Sequence, residues 1–255
     1  MKLIIRFLLS ISLISLAACS KPAGEGISPD GGSNATSQAG YVTGIVRDAQ
    51  GKPVKGAEIT INNTGEVINN LIGYSDANGN YKIKLSTGGG PLIGSYYVRG
   101  HVTVNYLNYA FKLALFVEDD SAFSPEAGAV KNLHLAIAGP RSNFGDSGWY
   151  GGTIEVDNHT SDSHFPNIEV KLEPVGPLVD GSIGKTQVAR PDWMYSYNIP
   201  VGQYKITARD VATNEPLAVK NYYYDKGYKA STTGVFEPIL TNSDRYQLII
   251  QVADL

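Results

Sequence analysis

Two histidines and two aspartates lie within one polar segment and are the side chains most suited to metal chemistry. Asp157, His159, Asp162 and His164 supply nitrogen and oxygen ligands that could converge on zinc or another divalent cation. The spacing is not that of a helical His-Glu-x-x-His motif, and polar loops between strands collect the same residue types. A metal site, and with it a metal-dependent hydrolase, is the least favoured of three functional hypotheses.

Aromatic residues form a second candidate set, and their chemistry is recognition rather than catalysis. Exposed rings stack on sugars or anchor protein partners, whereas alternate aromatic residues of a strand enter the core. Ordinary packing is therefore the competing explanation for this set. In the run from Tyr222 to Tyr224, which we place in a strand, only one face can be buried. The candidate ligand-binding residues are Trp149, Tyr150, Trp193 and Tyr223.

Other polar motifs indicate turns. The segment Asp76-x-Asn78-x-Asn80 has its glycine at the fourth position instead of the sixth and lacks a closing glutamate, so it does not match a calcium loop. The sequence contains no Gly-x-Ser-x-Gly elbow, and no histidine lies in a known catalytic motif. We therefore assign no catalytic residue, and we expect no cofactor and no enzymatic activity.

The elements that would position these residues are strands. Ala57, Ile59 and Ile61 alternate with polar residues, and the same period of two recurs from Tyr81 to Leu85. Longer strands are predicted at 96–106 and 109–117. Residues 139–148 are rich in glycine and polar residues and mark a boundary, after which Ile154, Val156 and the alternating segment 246–252 repeat the first plan. The fold class is all-β, with two tandem sandwich domains at 41–139 and 148–255.

The first of these domains resembles a known family. Its opening Gly-x-Val-x-Asp-x-x-Gly-x-Pro-Val-x-Gly-Ala at residues 44–57 and the turn Ser-Asp-Ala-Asn-Gly-Asn-Tyr at 75–81 resemble the carboxypeptidase regulatory-like domain. The segment Pro-x-Gly-x-Tyr-x-Ile-x-Ala at 200–208 resembles a strand corner of the same modules. The resemblance implies a transthyretin-like or Ig-like sandwich and an accessory role without a peptidase centre.

The first 40 residues are typical of a secreted, anchored protein. Residues 1–18 have a basic start and a short apolar core, and Leu-Ala-Ala-Cys ending at Cys19 resembles the processing box of bacterial lipoproteins. This implies lipid attachment at Cys19, which is the only cysteine, and a membrane anchor. Residues 19–40 are a Gly/Ser-rich linker. Ser20 stands where an aspartate would signal inner-membrane retention, so the outer membrane of the cell envelope is favoured.

The net charge of the chain limits the classes of partner that it can bind. Loss of Lys2 and Arg6 with the leader lowers the basic residues from 21 to 19 against 24 acidic residues, a net charge of −5. This balance argues against nucleic acid as a partner. We therefore predict a non-catalytic envelope lipoprotein that binds a glycan or an envelope protein. The alternative is a structural spacer or assembly component of the envelope.

Overall fold

The computed structural model of this chain describes residues 36–64, 70–85, 94–142, 148–161 and 165–255. The predicted leader, Cys19 and the linker up to residue 35 lie outside these ranges. The described chain is almost entirely β, as the sequence predicted, with one short 3-10 helix at Phe165–Asn167. Among its helices none is long and apolar enough to cross a membrane. The strands form two sheet bodies within one compact unit.

The first body contains eight strands. They are β1 (Tyr41–Arg47), β2 (Glu58–Asn63), β3 (Leu71–Tyr74), β4 (Asn80–Lys84), β5 (Tyr96–Tyr106), β6 (Tyr109–Val117), β7 (Ala129–Val130) and β8 (Leu133–Leu135). Their hydrogen-bonded order is β3-β2-β5-β6-β8-β1-β4, with β7 also paired to β1. The two long strands β5 and β6 have the bounds predicted from sequence. Strand β3 was not predicted.

A short hairpin and the second body follow. The hairpin pairs β9 (Pro140–Arg141) with β10 (Gly148–Trp149). The second body contains β11 (Gly152–His159), β12 (Ile168–Pro174), β13 (Gln187–Ala189), β14 (Tyr195–Ile199), β15 (Gln203–Asp210), β16 (Pro216–Asn221), β17 (Thr232–Val235), β18 (Glu237–Pro238) and β19 (Tyr246–Asp254). The order is β13-β12-β15-β16-β19-β11-β14, with β17 beside β15 and β18 beside β19.

The two bodies share one topology. Reading β11 to β16 as the counterparts of β1 to β6, and β19 as the counterpart of β8, converts the second strand order into the first. In both bodies the first strand is parallel to the last and antiparallel to the fourth. The predicted repeat of the first plan is confirmed at this level, as is the fold class of two tandem β-sandwiches.

Close packing inside each body depends on residues without a side chain. A Cβ atom at Gly73 in β3 would lie 2.6 Å from Ile83 Cγ1 in β4, so the two ends of the first strand path face each other across the core. A Cβ atom at Gly44 would lie only 1.9 Å from the backbone oxygen of Lys131. Real Cβ atoms do not approach other atoms this closely, so glycine is required at these sites.

Tyrosines join the two bodies. The hydroxyl of Tyr106 donates to the carbonyl of Pro177 at 2.9 Å and accepts from the backbone N–H of Gln203 at 3.0 Å. Tyr246 in the second body stacks on Phe111 of the first with ring centroids 5.3 Å apart, and its hydroxyl donates to the carbonyl of Lys112. These contacts combine apolar burial with satisfied hydroxyl groups, which fixes the orientation of the partners.

A charged cluster crosses the same interface. Asp244 precedes β19, and its Oδ2 accepts hydrogen bonds from His101 Nε2 in β5 at 2.9 Å and from Arg141 Nη2 in β9 at 2.7 Å. Burial raises the pKa of the Asp244 carboxyl, but the two hydrogen bonds and the charge of Arg141 lower it by more, so its pKa is well below the usual value. The carboxylate is therefore ionised at neutral pH.

Candidate functional site

The predicted aromatic residues divide between surface and core. Trp193 is 79% exposed at the tip of a tight turn, where its backbone takes a positive φ of 58°, and Trp149 is half-exposed in β10. Tyr150 is only 6% exposed, with its ring 5.9 Å from that of Phe116 and 5.7 Å from the guanidinium of Arg141. Tyr150 is therefore a packing residue, and its proposed role as a ligand-binding ring does not fit the structure.

The tyrosine run lies in a turn and not in a strand. Strand β16 ends at Asn221, whose Oδ1 accepts from the N–H of Tyr223, while Asp225 Oδ2 accepts from the N–H of Asn221. These side-chain bonds replace the ladder bonds of a strand. The placement of the run in a strand was wrong, but the expectation that part of it would be exposed is met, because a turn exposes successive residues. Tyr222, Tyr223 and Tyr224 are all exposed.

The predicted metal ligands are only partly described. Asp162 and His164 lie outside the described residues. His159 Nε2 lies 2.7 Å from Asp157 Oδ2 at the exposed end of β11. No group of three or more potential ligands occurs in the described part of the chain. Asp157 and His159 are thus neighbours, without a third described ligand beside them.

Asp157 belongs instead to a polar row across three strands. In this row Lys220 of β16, Gln251 of β19 and Asp157 of β11 are register partners. Lys220 Nζ donates to Gln251 Oε1 at 3.0 Å, and Gln251 Nε2 donates to Asp157 Oδ2 at 2.8 Å. The bonds from Gln251 and His159 lower the pKa of the Asp157 carboxyl. The row presents an ionised carboxylate on the outer surface of the sheet.

A second row runs parallel to the first. Gln247 of β19 donates from Nε2 to Glu155 Oε2 in β11, and Gln247 is the register partner of Glu237 in β18. Glu155 and Gln247 share the outer face because Ile154, Val156 and Leu248, their neighbours along the strands, are buried. The face therefore offers two carboxylates with an amide group between them.

Tyrosine rings flank this second row on both sides. Beyond Glu155 lies its register partner Tyr195 in β14, whose ring stacks with that of Tyr197 at 6.1 Å. Tyr197 is 53% exposed. At the opposite end, the hydroxyl of Tyr224 donates to Glu237 Oε1, and this bond raises the pKa of Tyr224 to about 12. We call Tyr195, Tyr197, Glu155, Gln247, Glu237 and Tyr224 the tyrosine-carboxylate face.

A shallow cavity deepens the face at its Tyr224 end. Its volume is about 130 Å³, and it opens where β19 leaves its pairing with β16 and begins its pairing with β18. Tyr223, Tyr224 and the half-exposed Ile239 form apolar walls, while Glu237 and Gln247 supply polar atoms. The cavity is smaller than the clefts of about 300–1,000 Å³ that enclose small ligands, so it is an indentation of the face and not a separate pocket.

The first body reaches the same end of the face. Tyr109 begins β6 and is 72% exposed, and it points to the same side of its hairpin as Phe111, which stacks on Tyr246. Its phenol is near enough to Tyr224 to contribute to the raised pKa of that residue. Tyr109 therefore lies toward the Tyr224 end of the face, although it belongs to the other body and does not line the cavity.

None of the four candidate aromatic residues belongs to the tyrosine-carboxylate face; Tyr223 lines the cavity at its end, and the sequence did not indicate the polar half of the face. Glu155 and Gln247 are separated by 92 positions, and nothing in either segment indicates that β11 and β19 are adjacent and parallel. The available signal was the alternation itself, because it predicts that the polar residues of both strands share outer faces.

Comparisons with known proteins add little to this geometry. No family model matches the chain, and no curated protein matches it. The carboxypeptidase regulatory-like resemblance therefore has support only at the level of a β-sandwich.

Several solved structures are similar at a low level. The Bacillus anthracis TIE protein is 14% identical over 85% of this chain and 34% of its own, with a TM-score of 0.33. A streptococcal ancillary pilin is 10% identical over 82% of this chain and 61% of its own (TM-score 0.24), and the Streptococcus pyogenes major pilin T-13 is 13% identical over 85% and 98% (TM-score 0.26). The chain thus spans about a third of the first protein and three fifths of the second. At these identities and TM-scores the similar structures say nothing about the function of this chain. The functional argument therefore depends on its own side chains.

Proposed function

We propose that this protein is a non-catalytic glycan-binding module of the bacterial cell envelope. The observation that carries the proposal is the tyrosine-carboxylate face, in which exposed rings lie on both sides of carboxylate and amide groups. Sugar rings have an apolar face that packs on aromatic rings and an equatorial belt of hydroxyls that need paired donors and acceptors. The face supplies both kinds of contact on one rigid sheet.

The polar residues of the face are positioned before a ligand arrives. Gln247 is tied to Glu155, and Glu237 is tied to Tyr224, so these side chains lose little conformational freedom on binding. Each carboxylate keeps lone pairs for sugar hydroxyls, since a carboxylate accepts up to about four hydrogen bonds.

The N-terminal segment supplies the location in this proposal. Processing before Cys19 and acylation there would anchor the chain, with the outer membrane favoured by Ser20. The linker at 19–40 would hold the folded part away from the bilayer. The same proposal includes the two domains, at 41–139 and 148–255. It also includes the assignment of the first domain as carboxypeptidase regulatory-like.

The alternative role, a structural spacer, is favoured by a different observation. Tyr106, Tyr246 and Asp244 each bond across the interface between the two bodies, which suits a component that keeps a fixed length under load. An envelope protein would then be the partner in place of a glycan. The two roles are compatible, but only the first requires the exposed rings.

The test is a glycan array probed with the full chain purified in detergent. Tyr197→Ala and Tyr224→Ala should each reduce binding to the retained glycans about tenfold, the loss typical of a central aromatic contact. Tyr74→Ala removes a ring of similar exposure, 63%, from β3 of the first body and serves as the matched control. Absence of any bound glycan, or equal losses in all three variants, would contradict the proposal and leave the spacer role.

A further inference from the structure

The tyrosine-carboxylate face contains two acidic residues and no basic residue. Glu155 and Glu237 lie in the face itself, and Asp157 lies in the adjacent row. Lys220 keeps its positive charge, because its partner Gln251 is neutral, but it lies in the row of Asp157 and not in the face itself. The guanidinium of Arg245, at the start of the same edge, lies against Gly148 of β10.

This imbalance remains at working pH. The bonds from Gln251 and His159 lower the pKa of the Asp157 carboxyl, so that group stays ionised in mildly acidic solution. A surface that carries only negative charges attracts cations and repels anions before contact is made.

We infer that the face selects glycans by charge, preferring those with unacetylated amino sugars, accepting neutral sugars less well and rejecting sulfated or uronic acid chains. This inference rests on the glycan site proposed above and names its ligand class. A protonated amino group offers three donors and a positive charge that attracts a carboxylate, whereas a hydroxyl offers one donor and no charge. A sulfate or uronate would place two anions together without a cation between them.

The experiment compares matched ligands of one backbone. Chitosan hexaose, its fully N-acetylated form and the 6-O-sulfated derivative of that acetylated form carry positive, zero and negative charge on one backbone. The full chain in detergent is titrated with each at mildly acidic pH by calorimetry. We expect the amino form to bind about tenfold more tightly than the acetylated form, with that advantage shrinking as salt is added. The sulfated form should show no binding.

Glu155→Gln and Glu237→Gln separate charge from hydrogen bonding, because glutamine keeps an acceptor of the same shape. Each should reduce the preference for the amino form severalfold while changing affinity for the acetylated form less than about twofold. Glu126→Gln, in an exposed loop of the first body, is the matched control and should change neither.

Each outcome bears on a different proposal. Equal or tighter binding of the sulfated form, or a preference that survives both glutamine variants, overturns the charge inference and leaves glycan binding intact. If none of the three hexaoses binds, the glycans retained on the array are compared by charge instead. Sulfated or uronic acid chains among them overturn the inference. A blank array overturns glycan binding and the charge inference together.

Discussion

Asp244 and His101 are 143 positions apart in the chain, yet the Oδ2 of one lies 2.9 Å from the Nε2 of the other. The pair links the start of the last strand of the second body to the central strand β5 of the first. Arg141 in the intervening hairpin bonds to the same oxygen. One carboxylate therefore connects three separate segments, and its ionisation is coupled to the stability of the whole described unit.

Asp244→Asn should destabilise the protein in a pH-dependent way. Since the folded pKa of Asp244 is lowered, its ionised form stabilises the fold above the usual aspartate pKa of about 3.9, and this contribution is lost as the pH falls below that value. We expect the variant to lose about 2 kcal/mol at neutral pH and clearly less in acid. Urea unfolding at several pH values measures this, with the exposed Asp120→Asn as control; equal losses at all pH values would contradict the assignment.

Tyr109→Ala should weaken glycan binding although the residue belongs to the first body. Its phenol is near enough to Tyr224 to affect the pKa of that residue, so its removal takes away an exposed ring at the Tyr224 end of the face. We expect an affinity loss of about fivefold to tenfold with unchanged unfolding midpoint. Tyr74→Ala, the exposed tyrosine of β3, is again the comparison, and identical affinities for the two variants would show that the site lies wholly within the second body.

Gly44→Ala should be among the most damaging single substitutions. The added methyl carbon would fall 1.9 Å from the backbone oxygen of Lys131, a fixed neighbour that cannot rotate away. We expect a loss of at least about 3 kcal/mol in the free energy of unfolding, measured by denaturant titration. Gly227 has open space around its Cβ position, so Gly227→Ala should change stability by less than about 0.5 kcal/mol. A mild Gly44→Ala phenotype would mean that β1 and the segment before β8 can separate.

His159→Ala should leave both metal content and stability unchanged. His159 lies at the exposed end of β11, and Asp157 retains the bond from Gln251 when the imidazole is removed. We expect the purified protein to contain no stoichiometric transition metal by elemental analysis and the variant to lose less than about 0.5 kcal/mol. Stoichiometric zinc in the parent chain that disappears in the variant would restore the metal hypothesis, with Asp162 and His164 as further ligands.

Local patterns in the sequence predicted the strands better than the site. Tyr96–Tyr106 and Tyr109–Val117 were predicted with the bounds that the structure has, because alternation and flanking turns are encoded within each segment. The tyrosine run was placed in a strand, but Asn221 and Asp225 bind the backbone there and form a turn. The preference of tyrosine for strands takes no account of hydrogen bonds that neighbouring side chains make to the backbone.

The pairing of distant strands was the part that sequence could not provide. Glu155 and Gln247 meet only because β11 and β19 are parallel neighbours, and Tyr150 is buried only because Phe116 of the first body covers one side of it. Both relationships depend on which segments become adjacent in space. A single sequence predicts that a polar face exists, but not which polar residues share it.

The parallel pairing of β11 with β19 also decides how the second body would respond to a pulling force. Seven consecutive positions of the two strands are paired, from Thr153 with Gln247 to His159 with Ala253. A load applied at the start of β11 and the end of β19 slides these strands past each other, so all seven positions resist at once instead of opening in sequence. The body is therefore built to unfold slowly under tension, a kinetic resistance that its equilibrium stability does not report.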